Sequence, residues 1–381
     1  MKITITKSSL VRGLQLVVPV ASTKSTLPVL TNILVDATDL DNKGLIKLSA
    51  NDLEKGIECY VAATITEKGA ITIPATKFNE IVKELPDGNI EITENNLQIK
   101  VVAGKSKFNI VGLSAKDFPV MVRQDEKEMK KYKLNADVFV EKLIKTMFSA
   151  SRDMQKYVLT GICLDFKGTD LHIATTDGRR LSYAKYEGIT VESVKDNDIQ
   201  AIVPIKAVTD IVRFVSAVQA TTETVKEGTL IIGDNVLTIT VGDIVFQTRL
   251  IEGTFPNYMQ VIPKQDTKTT DIQLPVGDLL QAIKQVSLLA GETSPSVILS
   301  FSENKLEVYA RSDKGEGNTE LEIVYTGKEP FEMAFNPIFL REVLQSVGTG
   351  FVTISVSGVQ APTKFTVEGQ DYIYIVMPMK R

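Results

Sequence analysis

The chain has 381 residues, of which 43% are hydrophobic and 24% charged, with a formal net charge of −4. At about 100–200 residues per domain this profile fits a soluble globular protein of two to four domains. It excludes a bilayer-spanning helix, because no apolar run approaches the roughly 18–20 residues required. It also leaves little for enzyme chemistry: one histidine, two cysteines, no cluster of zinc ligands, no P-loop and no G-x-S-x-G elbow.

The chain opens with "KITITKSSLVRGLQL" (2–16), apolar at period two and then at helical spacing. This predicts a strand running into an amphipathic helix rather than a signal peptide. The same device returns as "YKLNADVFVEKLIKTM" (132–147) and "DIQLPVGDLLQAIKQV" (271–286), with Ser, Asp or Gly near the switch. A second device, a strand ending in a turn residue before another helix, appears as "AITIPATKFNEIVKEL" (70–85), "AIVPIKAVTDIVRFV" (201–215) and "EMAFNPIFLREVLQSV" (332–347). Pro74, Pro204 and Asn336 hold equivalent places, and proline suits the first turn of a helix.

Between the two devices lies a strand pair joined near Asp52, Asp177 or Asp313. After the second helix, strands return: "FNIVGLSAKDFP" (108–119) matches "FQTRLIEGTFP" (246–256), and the last third ends on "YIYIVMPMKR" (372–381). Each third therefore reads β-α-β-β-β-α-β-β-β, with seams in "RQDEKEMKKYK" (123–133) and "PKQDTKTT" (263–270). The expected domains are 1–128, 129–257 and 258–381. The fold class is α+β, each domain placing two helices on antiparallel sheets.

The six helical segments carry ten basic and seven acidic residues, a local +3 in an acidic chain. Such a bias could attract a polyanion to that face, and a merely solvated face explains it equally well. His172 lies in the alternating run "DLHIATT" and reads as structural; Cys59 and Cys163, in strand-like runs, read as buried free thiols of a reducing cytoplasm. "TTDGRRLS" (175–182) reads most simply as a turn, since Asp bonds nearby backbone N–H groups and Gly accepts a positive φ.

Three such units, with "TLPVLTNILV" early, "TTDGRRL" in the middle third, "FP" after the second unit and a "VMPM" terminus, resemble the bacterial DNA polymerase III beta subunits, the replication sliding clamps, over the whole chain. The resemblance implies a non-catalytic, cofactor-free processivity factor of the cytoplasm. It closes as a head-to-tail homodimer into a six-domain ring around double-stranded DNA, with helices lining the hole. The implied partners are the DNA polymerase III alpha subunit, the clamp loader, other polymerases and repair factors, all docking through short linear motifs, with no membrane. By matching position the resemblance assigns a peptide pocket to Leu159, Thr176, Gly178, Arg179, Arg180, Leu181, Pro256, Val261, Val376, Met377, Pro378 and Met379. It assigns DNA contacts to Lys24, Lys77, Tyr157 and Lys206, and the dimer seam to Phe108, Leu288 and Leu289. Departures are Arg179, where the family often has histidine, Gln260, where it often has a basic residue, and Val158, which stands beside Tyr157 in place of a second aromatic. The alternatives are a carboxylate enzyme using the three repeated aspartates and a β-rich scaffold repeat protein that does not bind DNA.

Overall fold

The computed structural model describes residues 1–38, 44–121, 129–192, 198–219, 226–263, 268–325 and 329–380. Parts of the two seam segments, and the expected boundary at residue 128, lie outside them. The six helices fall where the periodicity puts them: α1 Lys7–Val17, α2 Ala75–Glu84, α3 Ala136–Met147, α4 Ile205–Gln219, α5 Val276–Val286 and α6 Pro337–Val347. Each of the six follows directly on a strand or one residue after it.

Local chemistry sets the helix starts. The Thr6 side chain accepts from Ser9 N, and Asn336 Oδ1 accepts from Ile338 N at 2.9 Å. Asn135 Oδ1 likewise accepts from Asp137 N at 2.9 Å at the start of α3, and the Ser, Asp and Gly noted near the switch fall in the first turns as Ser8, Asp137 and Gly277. Of the three equivalent positions at the second helices, only Asn336 caps with its side chain. Pro74 and Pro204 are the last strand residues, and the proline inside a first turn is Pro337.

Contacts divide the chain into two compact units. The first comprises Met1–Asp137, Thr190–Lys195 and Lys206–Leu250; the second comprises Val138–Ile189, Asp196–Ile205 and Ile251–Arg381. The middle third is thus shared between them, and the sheets explain why. In the first unit a ten-stranded antiparallel sheet runs without a break from the first third into the second. Its strand Lys55–Ala62 pairs with Ile244–Arg249, Lys55 lying opposite Thr248. In the second unit an eight-stranded sheet pairs Arg180–Tyr186 with Tyr372–Val376, Arg180 lying opposite Val376. A five-stranded sheet, ending at the edge strand Ser106–Val111, completes the first unit. A four-stranded sheet, ending at the edge strand Gly315–Glu322, completes the second.

Among the described residues the thirds hold three, two and one strands more than the pattern read from sequence; three of these are the short Thr64–Glu67, Leu113–Ser114 and Thr190–Val191, and the other three recur once in each third. The recurring ones are Asn32–Asp36, Gly161–Lys167 and Val297–Ser302, each preceding the strand pair. Gly161–Lys167 is buried on both faces, so the alternation that reveals a half-exposed strand is missing from it.

In the first unit α1 and α2 pack on each other, and α1 lies on Leu45–Asn51 and Lys55–Ala62. Leu10, Leu14 and Val17 of α1 are fully buried. Gly13 permits the approach: a Cβ there would fall 2.6 Å from Leu48 Cδ1 and 2.7 Å from Val61 Cγ2. In the second unit α5 and α6 pair over a core of Leu279, Ile283, Val308, Leu340, Leu344 and Tyr374. Gly13→Val should therefore lower stability by about 1–3 kcal/mol through overpacking. Gly277→Ala, where a Cβ meets nothing within 4 Å, should leave it unchanged or raise it slightly. Urea midpoints of the two variants check this.

Candidate functional site

The segment "TTDGRRLS" is the tip of a hairpin between Asp170–Thr176 and Arg180–Tyr186. Asp177 Oδ1 accepts from Arg179 N at 2.9 Å and Arg180 N at 3.1 Å, and Gly178 takes φ +89°. Thr176 Oγ1 donates to Arg180 O at 2.6 Å and accepts from Gly178 N at 3.0 Å. Asp52 does the same at its own tip, accepting from Glu54 N at 3.0 Å and Lys55 N at 2.8 Å. Asp313 occupies a two-residue turn between the paired Ser312 and Gly315. Asp52 and Asp177 spend their carboxylates on their own backbone, as a turn residue does.

The strand beyond the tip presents two different faces, because its side chains alternate. Leu181 and Tyr183 point to one face, where they join Cys163, Ala174, Ile202, Ile251, Phe255, Tyr258 and Ile375 in an apolar floor. Val158, Leu159, Ile262 and Ile373 pack around it. Tyr258 is fixed there by donating from its hydroxyl to Asp165 at 2.7 Å, and burial together with that bond pushes its phenol above the usual range. His172 Nδ1 lies 2.7 Å from the Tyr183 hydroxyl and the two rings stack, so it has the structural role read from sequence. Burial, then Lys167, holds its pKa below the ordinary value. Cys59 and Cys163 are buried and free; burial pushes the Cys59 thiol up to about 12.

Above the floor the surface is apolar and open: Val261 is 46% exposed and Met377 41% exposed. The C-terminal segment does not fray. Met377 N donates to Arg179 O at 2.9 Å, which sets Met377 beside the hairpin tip, and Met379 N donates to Ala334 O at 2.7 Å, which ties Met379 to the strand Phe331–Phe335. Pro378 and Met379 are half-buried, Pro256 and Gly178 exposed. Leu159 and Leu181 therefore share the floor, Thr176, Met377 and the backbone of Arg179 meet at the hairpin tip, and Val261 is held next to the floor through its bond to Tyr258 O.

Arg180 and Val376 are not part of that surface. They pair across the seam and face the helices. Val376 is fully buried in the core under α5 and α6. The Arg180 side chain, 5% exposed, pairs with Asp177 at 3.0 Å and with Glu342 of α6. It also donates to Phe148 O at 2.7 Å and lies 4.3 Å from the Phe339 ring centroid. Burial alone would lower its pKa, but Tyr374, Glu342 and Asp177 raise it above its ordinary value. Arg180 is a pin holding the hairpin to α6, whereas Arg179 is exposed. Sequence reasoning missed the pin's partners Glu342, Phe339 and Phe148, and the floor residues Asp165 and Tyr258. The strand alternation of "RRLSYAKY" was the signal that could have separated the two arginines.

The DNA-directed candidates are scattered over surface. Lys24 and Lys206 are exposed, and Tyr157 is 52% exposed on the 3-10 segment Met154–Thr160. Lys77 is exposed but pairs with Glu80 at 2.6 Å. Lys7, Lys145 and Arg213 likewise meet Asp87, Glu141 and Asp210, so the helices' basic surplus is partly neutralised where it stands. Phe108, 37% exposed, lies on the edge strand Ser106–Val111. Leu288 is 84% exposed, whereas Leu289 is half-buried, with its Cδ1 3.3 Å from where a Cβ on Gly317 would stand on the other edge strand.

Three family models match in succession: the N-terminal, central and C-terminal domains of the DNA polymerase III beta subunit, over residues 1–122, 133–257 and 259–380. The chain belongs to the DNA polymerase III beta subunit family. The beta sliding clamp of Escherichia coli K12 is 31% identical over 388 residues, all of both chains. That of Vibrio cholerae is 30% identical over 386 residues, again all of both. Among solved structures, the Pseudomonas aeruginosa sliding clamp bound to griselimycin superposes with TM-score 0.90 at 28% identity and full coverage of both chains. The Bartonella birtlesii clamp bound to the same compound has TM-score 0.90 at 26% identity, also with full coverage. As a member of this family the chain is a non-catalytic processivity factor of DNA replication, and the reading as a DNA-independent scaffold is not supported.

The two neighbouring arginines should separate cleanly. Arg180→Ala removes the buried cation that links Asp177, Glu342 and the Phe148 carbonyl and empties its space, and should lower unfolding free energy by about 3 kcal/mol. Arg179→Ala should change it by no more than about 0.5 kcal/mol. Parallel denaturant titrations of the two variants measure the contrast.

Proposed function

We propose that this chain works as a ring-forming clamp that encircles duplex DNA and carries partner proteins on the surface built around Leu159, Leu181, Val261 and Met377. The reading rests above all on the full-length succession of three beta-subunit domains. The domain boundaries 1–128, 129–257 and 258–381 belong to the same proposal. The implied partners are the polymerase alpha subunit, the clamp loader, and other polymerases and repair factors. A cytoplasmic location follows from the role in replication; among the described residues no helix is long and apolar enough to cross a membrane.

The chemistry of the docking surface supports short peptide partners. A flexible, polarisable methionine at its rim accommodates varied apolar anchors. The anchors would enter beside Met377 and Val261, while Thr176, Gly178, Arg179, Pro256, Pro378 and Met379 shape the border. Lys24, Lys206 and Tyr157, with Lys77 once released from Glu80, would touch DNA phosphates without reading bases. Such contacts are sequence-independent and permit sliding.

The dimer would join the two edge strands. Ser106–Val111 brings Lys107 and Phe108; Gly315–Glu322 brings Glu316, Glu320 and Glu322. Unpaired edges invite a partner strand, and opposite charge sets which one. Leu288, exposed beside the second edge, would be covered on assembly, with Leu289 packed behind it.

Two outcomes test this. Leu288→Asp removes nothing from the isolated chain but places a charge in the seam, so sedimentation should show monomers. A dimer of unchanged affinity would take Leu288 out of the interface. Deleting residues 377–381 should abolish binding of a fluorescent clamp-binding peptide while the dimer persists. Retained affinity would move the partner surface elsewhere.

A further inference from the structure

The junction of the first and second repeats copies that of the second and third. Asp52 organises its hairpin tip through Glu54 N and Lys55 N, as Asp177 does through Arg179 N and Arg180 N. Arg249 N donates to Glu54 O at 2.8 Å, as Met377 N donates to Arg179 O at 2.9 Å. Lys55 reaches Asp210 on α4, as Arg180 reaches Glu342 on α6. The backbone framework that supports the docking surface therefore exists twice.

What clothes it differs. By register, Gly56 stands where Leu181 stands, Glu58 where Tyr183 stands, Ser49 where Ala174 stands and Leu34 where Cys163 stands. Met121 takes the place of Tyr258, each lying two residues after a Pro in a Phe-Pro pair. Its sulfur is 2.7 Å from where a Cβ on Gly56 would be. Two cavities flank it, of about 250 and 290 Å³, and both are bounded by Pro119, Val120 and Met121. Asn51, Leu53 and Arg249 line the first; Lys47, Ser49 and Glu58 line the second.

Three details indicate a site that opens. Tyr258 is tied to Asp165 by its hydroxyl, whereas a methionine side chain has no donor with which to be tied and turns readily about its three side-chain bonds. The Ser49 hydroxyl is buried without a hydrogen-bond partner, a cost that a polar group of a ligand would remove. At the mouth, Leu53 is 48% and Val120 78% exposed.

We propose that this junction is a second peptide-binding site, gated by Met121. An extended peptide would insert one apolar side chain between Gly56 and the displaced thioether and offer a main-chain amide to Ser49. The lining of the two cavities carries both signs: the carboxylates Asp36, Glu54 and Glu58 and the cations Lys47, Lys55, Lys116 and Arg249. This complements a peptide bearing both signs or neither, rather than a polyanion. The proposal rests on the peptide-docking reading of the second junction, whose framework it shares.

The test uses the full-length protein and a pool of end-blocked hexapeptides, each containing one photoreactive leucine at a fixed position among random residues. After irradiation, labelled positions are mapped by mass spectrometry. Labelling is expected within residues 49–58 and 119–121, and Met121→Ala should raise it about tenfold, the equivalent of 1.4 kcal/mol. Gly56→Leu, which fills the place of the anchor, should abolish it. If that variant does not fold, Val120→Glu, altered only at an exposed position, should reduce labelling instead. Absence of label here in both the parent and Met121→Ala, or label indifferent to Gly56→Leu and Val120→Glu, overturns the proposal. Label at Leu159, Val261 or Met377 is scored separately. Its absence would count against the docking reading of the second junction, even if the first is labelled.

Discussion

Main-chain pairing across the repeat junctions is the constraint on which the rest depends. Lys55–Ala62 joins Ile244–Arg249, and Arg180–Tyr186 joins Tyr372–Val376, so neither large sheet ends where a repeat ends. Buried backbone groups must be bonded, and at these junctions each repeat supplies the bonds its neighbour lacks. The hairpin tips, the cations Lys55 and Arg180, and the strand ends at Arg249 and Met377 all take their positions from this pairing.

It also explains how one strand serves two purposes. On Arg180–Tyr186 the odd-numbered side chains Leu181 and Tyr183 build the apolar floor beneath the surface proposed for docking. The even-numbered Arg180, Ser182 and Ala184 face the helices, where Ser182 bonds Ser149 at 2.6 Å and Arg180 grips Glu342. A charge buried on one face thus fixes the geometry of an apolar surface on the other. The cost of burying Arg180 is offset by a carboxylate on either side, a carbonyl and an aromatic face.

Most of the architecture was legible in the sequence because it is repeated. Two kinds of strand-to-helix switch, each with a clear change of period, occur in the same order three times. Of the strands overlooked, Gly161–Lys167 is buried on both faces, and a strand with no wet side leaves no alternation to read, whereas Val297–Ser302 alternates and was legible in principle. The residues proposed for docking were named only through resemblance, since nothing in the spacing of Leu159, Val261 and Met377 singles them out. Arg180 and Val376 were misassigned because position in a motif does not say which way a side chain turns. The distinction follows from pairing with Val376 and Arg180 respectively, which is a fact of the folded sheet. Likewise, Lys77 reads as a free cation until Glu80, one turn on, is seen beside it.

The middle repeat gives five of its described strands to one compact unit and four to the other. It has the repeat's full sequence but no boundary of its own as a cooperative body. Were the chain cut after residue 257, the strand Arg180–Tyr186 would keep its hairpin yet present a row of unbonded amides and carbonyls along its other side. Such a fragment is an open template for foreign strands. Gene rearrangements that add or remove single repeats are thereby penalised: a repeat can be lost only together with the closure of its neighbour.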